Sequence, residues 1–281
     1  MGHVAYLVLA HGQAVQFRRL TEALRAQGEV FAHIDAKADI DRFRINDVRY
    51  TPQRIDVRWG GFSMVEATLA LLTHALENDP DISRFVLLSG DSFPLAPPAA
   101  ITTTLVGDST TNYISTGALA SPETMQSMTR LTRYHFERTP RQSPIRPAWS
   151  ILNRLIRRDY RSAFGGMVPH CGSQWWALTR PAAEWTLDEI DRRPEYVEFC
   201  RHTEIPDEHF FQTLLANSPF ADANRPSIMY ADWSGPTKPA IITREHVVAL
   251  RNSPPSDRVF LFVRKMTDES EDVAALIRSA W

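Results

Sequence analysis

Residues 4–12 read VAYLVLAHG and residues 30–37 read VFAHIDAK, with an amphipathic stretch over residues 15–26 between them. The first run is apolar without a break to Ala10 and then stops at His11-Gly12. The second is apolar to Ile34 and closes on Asp35-Ala36-Lys37. A short continuous apolar run reads as a buried strand, and apolar residues recurring at helical intervals read as an amphipathic helix. The order is therefore strand, helix, strand, with polar groups standing where each strand runs out.

Working outward, Ser63 is followed three residues later by Glu66, a capping-box spacing, and Val65, Leu69, Leu72 and Leu76 then recur at helical intervals. Residues 85–88 supply another buried strand, ending in Ser89-Gly90-Asp91-Ser92. Over residues 122–167 arginine and proline increase and periodicity weakens, which predicts long loops, short helices and an insert that faces the acceptor. Regular pattern resumes with a strand over 175–178, helices over 181–191 and 207–216, a strand over 260–263 and a terminal helix from Glu271. Alternating strands and helices predict one α/β domain, a mostly parallel central sheet flanked by helices, which binds ligands at the carboxyl ends of its strands. Residues 1–120 form the nucleotide-binding half on this reading, and residues 121–281 the acceptor and catalytic half.

Composition narrows the function. The 281 residues are 43% apolar and 23% charged, with a formal net charge of −2. That balance supports a large core and gives no basic excess for nucleic acid as the main partner. No apolar run approaches the roughly 20 residues that cross a bilayer. Cys171 and Cys200 lack CxxC spacing and read as reduced, so the expectation is a cytoplasmic protein. Phosphate-loop, GxGxxG, HExxH and GxSxG patterns are all absent.

What remains is a set of acids, bases and tryptophans. Glu208 lies in Ile205-Pro206-Asp207-Glu208-His209, where proline suits a first helical position and acids suit the first turn. A plain helix start explains these residues as well as a proton-accepting role does. Arg244, Arg264 and Lys265 can neutralise a diphosphate, or can be solvated cations beside a strand. Trp59, Trp175, Trp176 and Trp233 can pack on sugar rings or belong to the core, and Trp175 and Trp176, adjacent on a strand, must face opposite ways. Asp39-Ile40-Asp41 has the form of a DxD metal motif but also suits helix capping, and Asp91, with Ser89 beside it, is the better acid for contact with a donor. Between Arg130 and Arg161 stand nine arginines against two acids, Glu137 and Asp159. This is either a solvated face or a surface for an anionic acceptor or membrane headgroups.

Seven segments in order, AYLVLAH, HIDAK, WGGFSMVEA, LLSGDSFPL, GSQWWALTR, PDEHFFQTLLANS and FVRKM, resemble the core-2/I-branching β-1,6-N-acetylglucosaminyltransferase family, which also includes the protein xylosyltransferases. The resemblance implies a GT-A-like fold and inversion at the anomeric carbon, with no metal or other cofactor and no functional DxD. It maps the catalytic base to Glu208, the basic pair on the donor diphosphate to Arg244 and Lys265 with Arg264 adjacent, and the nucleoside contacts to His11 and Asp35. Trp233 falls at an acceptor-site tryptophan, and Glu137, in RYHFE, at the acceptor-binding acid. The expected partners are a UDP-sugar, with N-acetylglucosamine or xylose as the sugar, and a glycan or lipid-linked acceptor. The membrane anchor and disulfide framework of the animal enzymes have no counterpart here, which suggests a bacterial relative, peripheral to the inner membrane face if the arginine-rich stretch meets headgroups. Two alternatives stand beside this reading: a binding module without turnover, and a metal-dependent transferase that uses Asp39 and Asp41.

Overall fold

The computed structural model describes residues 3–119, 128–137, 151, 156–236 and 238–281. Its first half runs β1 (His3–Ala10), α1 (Ala14–Leu24), β2 (Glu29–Ile34), β3 (Val48–Tyr50), α2 (Ser63–Asn78), β4 (Ile82–Ser89), β5 (Ser92–Pro94) and α3 (Pro98–Gly107). There follow β6 (Asn112–Tyr113), β7 (Gly117–Ala118), α4 (Thr129–Thr132), α5 (Tyr160–Phe164), β8 (His170–Cys171), β9 (Ala177–Thr179), α6 (Arg180–Arg192), α7 (Pro194–Arg201) and α8 (Phe210–Ala216). The chain closes with β10 (Asn224–Arg225), β11 (Met229–Ala231), α9 (Arg244–Asn252), β12 (Phe262–Arg264) and α10 (Glu271–Arg278).

The main sheet has seven strands in the order β10-β6-β9-β4-β1-β2-β3. β1 is parallel to both β2 and β4, with Leu7 opposite Phe31 on one side and Leu87 on the other. β9 enters antiparallel to β4 and β6. From Val4 to Ala10 every residue of β1 is buried, which is why this run is apolar without alternation. The expected α/β class, a mostly parallel sheet flanked by helices in a GT-A-like, Rossmann-type arrangement, is what these strands build.

A second sheet, β11-β12-β5, sits beside the first. Phe93, Val263 and Met266 pack there against Val247 of α9 and Val273 and Ile277 of α10. Arg19 of α1 ties this unit to the main sheet, reaching Glu271 at 2.7 Å and the carbonyls of Thr267 and Asp268 at 3.2 and 3.1 Å. β12 is thereby fixed against the carboxyl ends of the parallel strands.

Several local expectations differ. The helix expected over 207–216 is a three-residue 3-10 turn, Pro206–Glu208, followed by a separate helix from Phe210. The strand expected from Trp175 begins at Ala177, and that from Phe260 is Phe262–Arg264. Ser63 makes no helix-capping bond and instead accepts the Arg58 N–H at 2.7 Å and donates to Glu137. Of the arginine-rich stretch, residues 138–150 and 152–155 lie outside the described residues, as do residues 122–127 of the loop region expected over 122–167. Arg158 is not part of an exposed basic face: it is buried, and its guanidinium caps the carbonyl end of α7 through His202 O at 2.6 Å and stacks 3.6 Å from the Phe199 ring.

Candidate active site

The carboxyl ends of β1, β2 and β4 gather four residues expected at a donor site. His11 follows β1 and is exposed. Asp35 follows β2; its N–H donates to Ala10 O at 2.9 Å, and its buried carboxylate accepts the Lys37 N–H at 2.8 Å and Nζ at 2.9 Å. After β4, Ser89 donates to the Asp91 carboxylate. Arg264, at the end of β12, reaches across to the same pair: Nε lies 3.1 Å from Ser89 Oγ, and Nε and Nη2 lie 3.3 Å from Asp91. The Arg264 guanidinium also stands 4.8 Å from the Trp175 ring centroid. Ser89, Asp91, Arg264 and Trp175 form one cluster, and Arg264 enters it already neutralised by Asp91.

The other two cations stand differently. Arg244 begins α9 and is exposed, and Lys265 is half-buried. Neither side chain makes an ion pair among the described residues. Their backbones are linked, since Lys265 O accepts the Ile242 N–H at 2.8 Å, two residues before Arg244. The Thr243–His246 capping box starts α9, and His246 Nε2 lies 3.2 Å from Asp232, the residue before Trp233. Bonds from Ser234, first its backbone N–H, and then from His246 hold the Asp232 carboxyl down at about 2. Trp233 and Arg244 are thus tied through one pair of side chains.

Glu208 ends the 3-10 turn and is held at both levels of its structure. Its backbone O accepts the Gly172 N–H at 2.9 Å, and its carboxylate Oε2 accepts from Arg130 Nη1 at 2.9 Å. A single 3-10 turn sums few peptide dipoles, and the countercharge beside Glu208 is an arginine. The neighbours on this turn are deeply buried. Burial and then the Glu208 charge push the Asp207 carboxyl up to about 7, and burial followed by Arg130 and Arg158 lowers His209 to about 3. Asp207 Oδ1 and both His209 ring nitrogens lack hydrogen-bond partners among the described residues.

The turn is entered through Ile205, at φ 51° and ψ 57°, the left-handed region that a β-branched residue rarely occupies. It is secured there by Gly60, whose carbonyl accepts the Ile205 N–H at 2.9 Å and whose own φ is 73°. The next residue, Gly61, is packed against Glu137: a Cβ at Gly61 would lie 2.3 Å from the Glu137 Cδ. Residues 60–63 of the WGGFS loop thus touch both the Glu208 turn and Glu137. Trp59, at the start of this loop, is 74% exposed, and Trp233 is 55% exposed. Trp176 is 1% exposed and packs 5.6 Å from Phe211, so it belongs to the core, and only Trp175 of that pair faces the site.

The segment from Gly172 to Trp175 joins the two clusters. Gly172 bonds to Glu208, and Trp175 lies under Arg264. Three residues of chain extend at most about 11 Å. Base turn and donor cluster are therefore anchored to chain positions within about 11 Å of each other.

Asp39 caps the 3-10 turn Ile40–Phe43, accepting the Asp41 N–H at 3.2 Å, and Asp41, within the turn, pairs with Arg44 at 2.9 Å. Among the described residues no three His, Cys, Asp or Glu side chains are grouped as metal ligands, and no helix is long and apolar enough to cross a membrane. Sequence reasoning missed Arg130 as a partner of Glu208 and the role of Gly60-Gly61; the doubled glycine was a visible signal, whereas nothing local marks Arg130 among nine arginines.

Comparison with known proteins bears on the same segments. Glycosyltransferase BC10 of Oryza sativa subsp. japonica is 29% identical over 208 residues, covering 66% of this chain and 44% of that protein. Xylosyltransferase 2 of Rattus norvegicus is 24% identical over 231 residues, covering 78% of this chain and 25% of that protein. The chain thus spans less than half the length of these relatives. Among solved structures, 4-diphosphocytidyl-2C-methyl-D-erythritol synthase from Anaerococcus prevotii DSM 20548 aligns over 99% of this chain and 96% of its own, at 7% identity and a TM-score of 0.33, too distant to carry an argument. The profile of the Core-2/I-Branching enzyme family matches residues 4–252, a span holding β1, Ser89, Asp91 and Trp175 of the donor cluster, the Glu208 turn and Arg244, and ending before Arg264 and Lys265. The chain belongs to the Core-2/I-Branching enzyme family.

Proposed function

We propose that the protein is an inverting glycosyltransferase that moves a sugar from a UDP-sugar to an acceptor hydroxyl without a metal ion. The observation that carries this reading is that a carboxylate turn, Glu208, and the Ser89-Asp91-Arg264-Trp175 cluster at the carboxyl end of a parallel sheet are joined by the short segment 172–175. A carboxylate close to the acceptor hydroxyl takes its proton while the hydroxyl oxygen forms a new bond to C1 of the sugar. The bond from C1 to the diphosphate oxygen breaks on the opposite face, and the nucleoside diphosphate leaves with the electron pair. Lys265 and Arg244 neutralise the charge that grows on the diphosphate, while Arg264, tied to Asp91, shapes the floor on which Trp175 lies. His11 and Asp35, at the ends of β1 and β2, contact the nucleoside. Glu137, Trp175 and Trp233 receive the acceptor. N-acetylglucosamine and xylose are the donor sugars favoured by the family and by the relatives named above, and a glycan or lipid-linked saccharide is the acceptor class. Arg133, Arg157 and Arg161 are exposed and can draw such an acceptor or an anionic membrane surface.

A panel of UDP-sugars screened by thermal shift in EDTA tests the donor half of this reading. A ligand that binds only the folded chain must raise its stability. The expected result is a shift with UDP and with one UDP-sugar; a shift seen only after manganese is added overturns the assignment of the diphosphate to Arg244 and Lys265.

A further inference from the structure

Arg130 is one of nine arginines in a basic stretch of the sequence. It lies on α4, half-buried, and its guanidinium meets the Glu208 carboxylate at 2.9 Å with side-chain exposures of 19% and 27%. An ion pair between fully exposed groups contributes little, but one drawn this far from solvent is screened less and fixes both partners. The same guanidinium acts on Asp207 and His209, the flanking residues of the turn. Among the described residues, the charged and titratable groups near this turn include Asp207 and His209 on the turn, Arg130 from α4, Arg158 ahead of α5, and Glu137 on the Gly61-Ser63 side. Asp207 adds a second carboxyl beside the base, and the Arg130 guanidinium is the cation that meets the Glu208 carboxylate.

We propose that Arg130 is the positioning residue of the base, holding the Glu208 carboxylate in one orientation. It acts through Glu208 and not on either substrate. The proposal rests on the reading of Glu208 as the base.

The test is the separate measurement of kcat and KM for turnover of the UDP-sugar found in the panel, for the wild type, Arg130→Met, Arg130→Lys and Glu208→Gln. Thermal shift by UDP on each variant reports folding and donor binding together. Arg130→Met is expected to keep the UDP shift and to lose about tenfold or more in kcat. Its KM is expected to stay within about twofold, because the arginine orients the base and touches neither substrate. Arg130→Lys keeps the charge without the planar fork, so part of the rate returns. A wild-type kcat in Arg130→Met, or loss of its UDP shift, overturns the proposal, the latter by placing Arg130 on the donor. Normal turnover in Glu208→Gln is a separate result that removes the base itself; an inactive Glu208→Gln beside an unchanged Arg130→Met kcat removes only the role given to Arg130.

Discussion

The donor end and the base end of the cleft are built by different means. Ser89, Asp91, His11 and Asp35 stand where regular parallel strands stop, so the register of β1, β2 and β4 places them. Glu208 stands on a single 3-10 turn entered through a left-handed isoleucine, braced by Gly60, and paired with an arginine 78 residues away. One end inherits its precision from a sheet buried on both faces. The other obtains it from a few unusual backbone positions and one ion pair. Ends of the second kind respond to small changes that a sheet would absorb.

The largest expected effect is at the base itself. Glu208→Gln keeps the shape of the turn and removes the proton acceptor, so kcat is expected to fall about 10²–10⁴-fold while the UDP thermal shift persists. Wild-type turnover in this variant would dissolve the distinction between the two ends. Next is the joint: Gly61→Val puts side-chain atoms into the space of Glu137, and acceptor kcat/KM is expected to fall about 10²-fold with donor binding intact. Equal losses of donor and acceptor binding would show that the loop serves both ends.

The smallest effect expected is on stability, through Asp207. Its folded-state carboxyl titrates near 7, above the unfolded value, so the folded chain holds this proton more tightly than the unfolded one. This term favours folding at low pH, weakens as pH rises from about 4 to 7, and above 7 is a constant penalty. Asp207→Asn is expected to unfold at higher urea than the wild type at pH 8, by about 1–3 kcal/mol, and to match it near pH 4. His209, lowered to about 3, contributes in the opposite sense below pH 6.5 and is common to both chains. A gain that does not depend on pH would mean that Asp207 is not buried as a carboxylate.

How much of this was legible can be argued residue by residue. The run from Val4 to Ala10 announced a buried strand because every side chain in it meets protein on one face or the other. Asp91 and Ser89 were legible because a polar residue just past such a strand lies at its carboxyl end. The tryptophan pair was legible only in part: adjacent residues must diverge, but sequence could not say that Trp176 was the one packed on Phe211. Ser63 and Glu66 carried a capping-box spacing, and the box did not form because Glu137, from another part of the chain, takes the Ser63 hydroxyl.

By itself the sequence determined the alternation of strands and helices, the parallel order of the first half, the polar residues at strand ends and the family to which the chain belongs. These follow from periodicity and from short ordered motifs, which are properties of neighbours along the chain. Only the tertiary structure decided that Arg264 is neutralised by Asp91, that Asp39 caps a turn within which Asp41 pairs with Arg44, that Arg158 is buried under α7 and that Arg130 meets Glu208. The physical reason is distance: whether a charge is solvated, buried or paired depends on atoms brought within a few ångströms by folding, and residues 130 and 208 carry no local mark of that meeting.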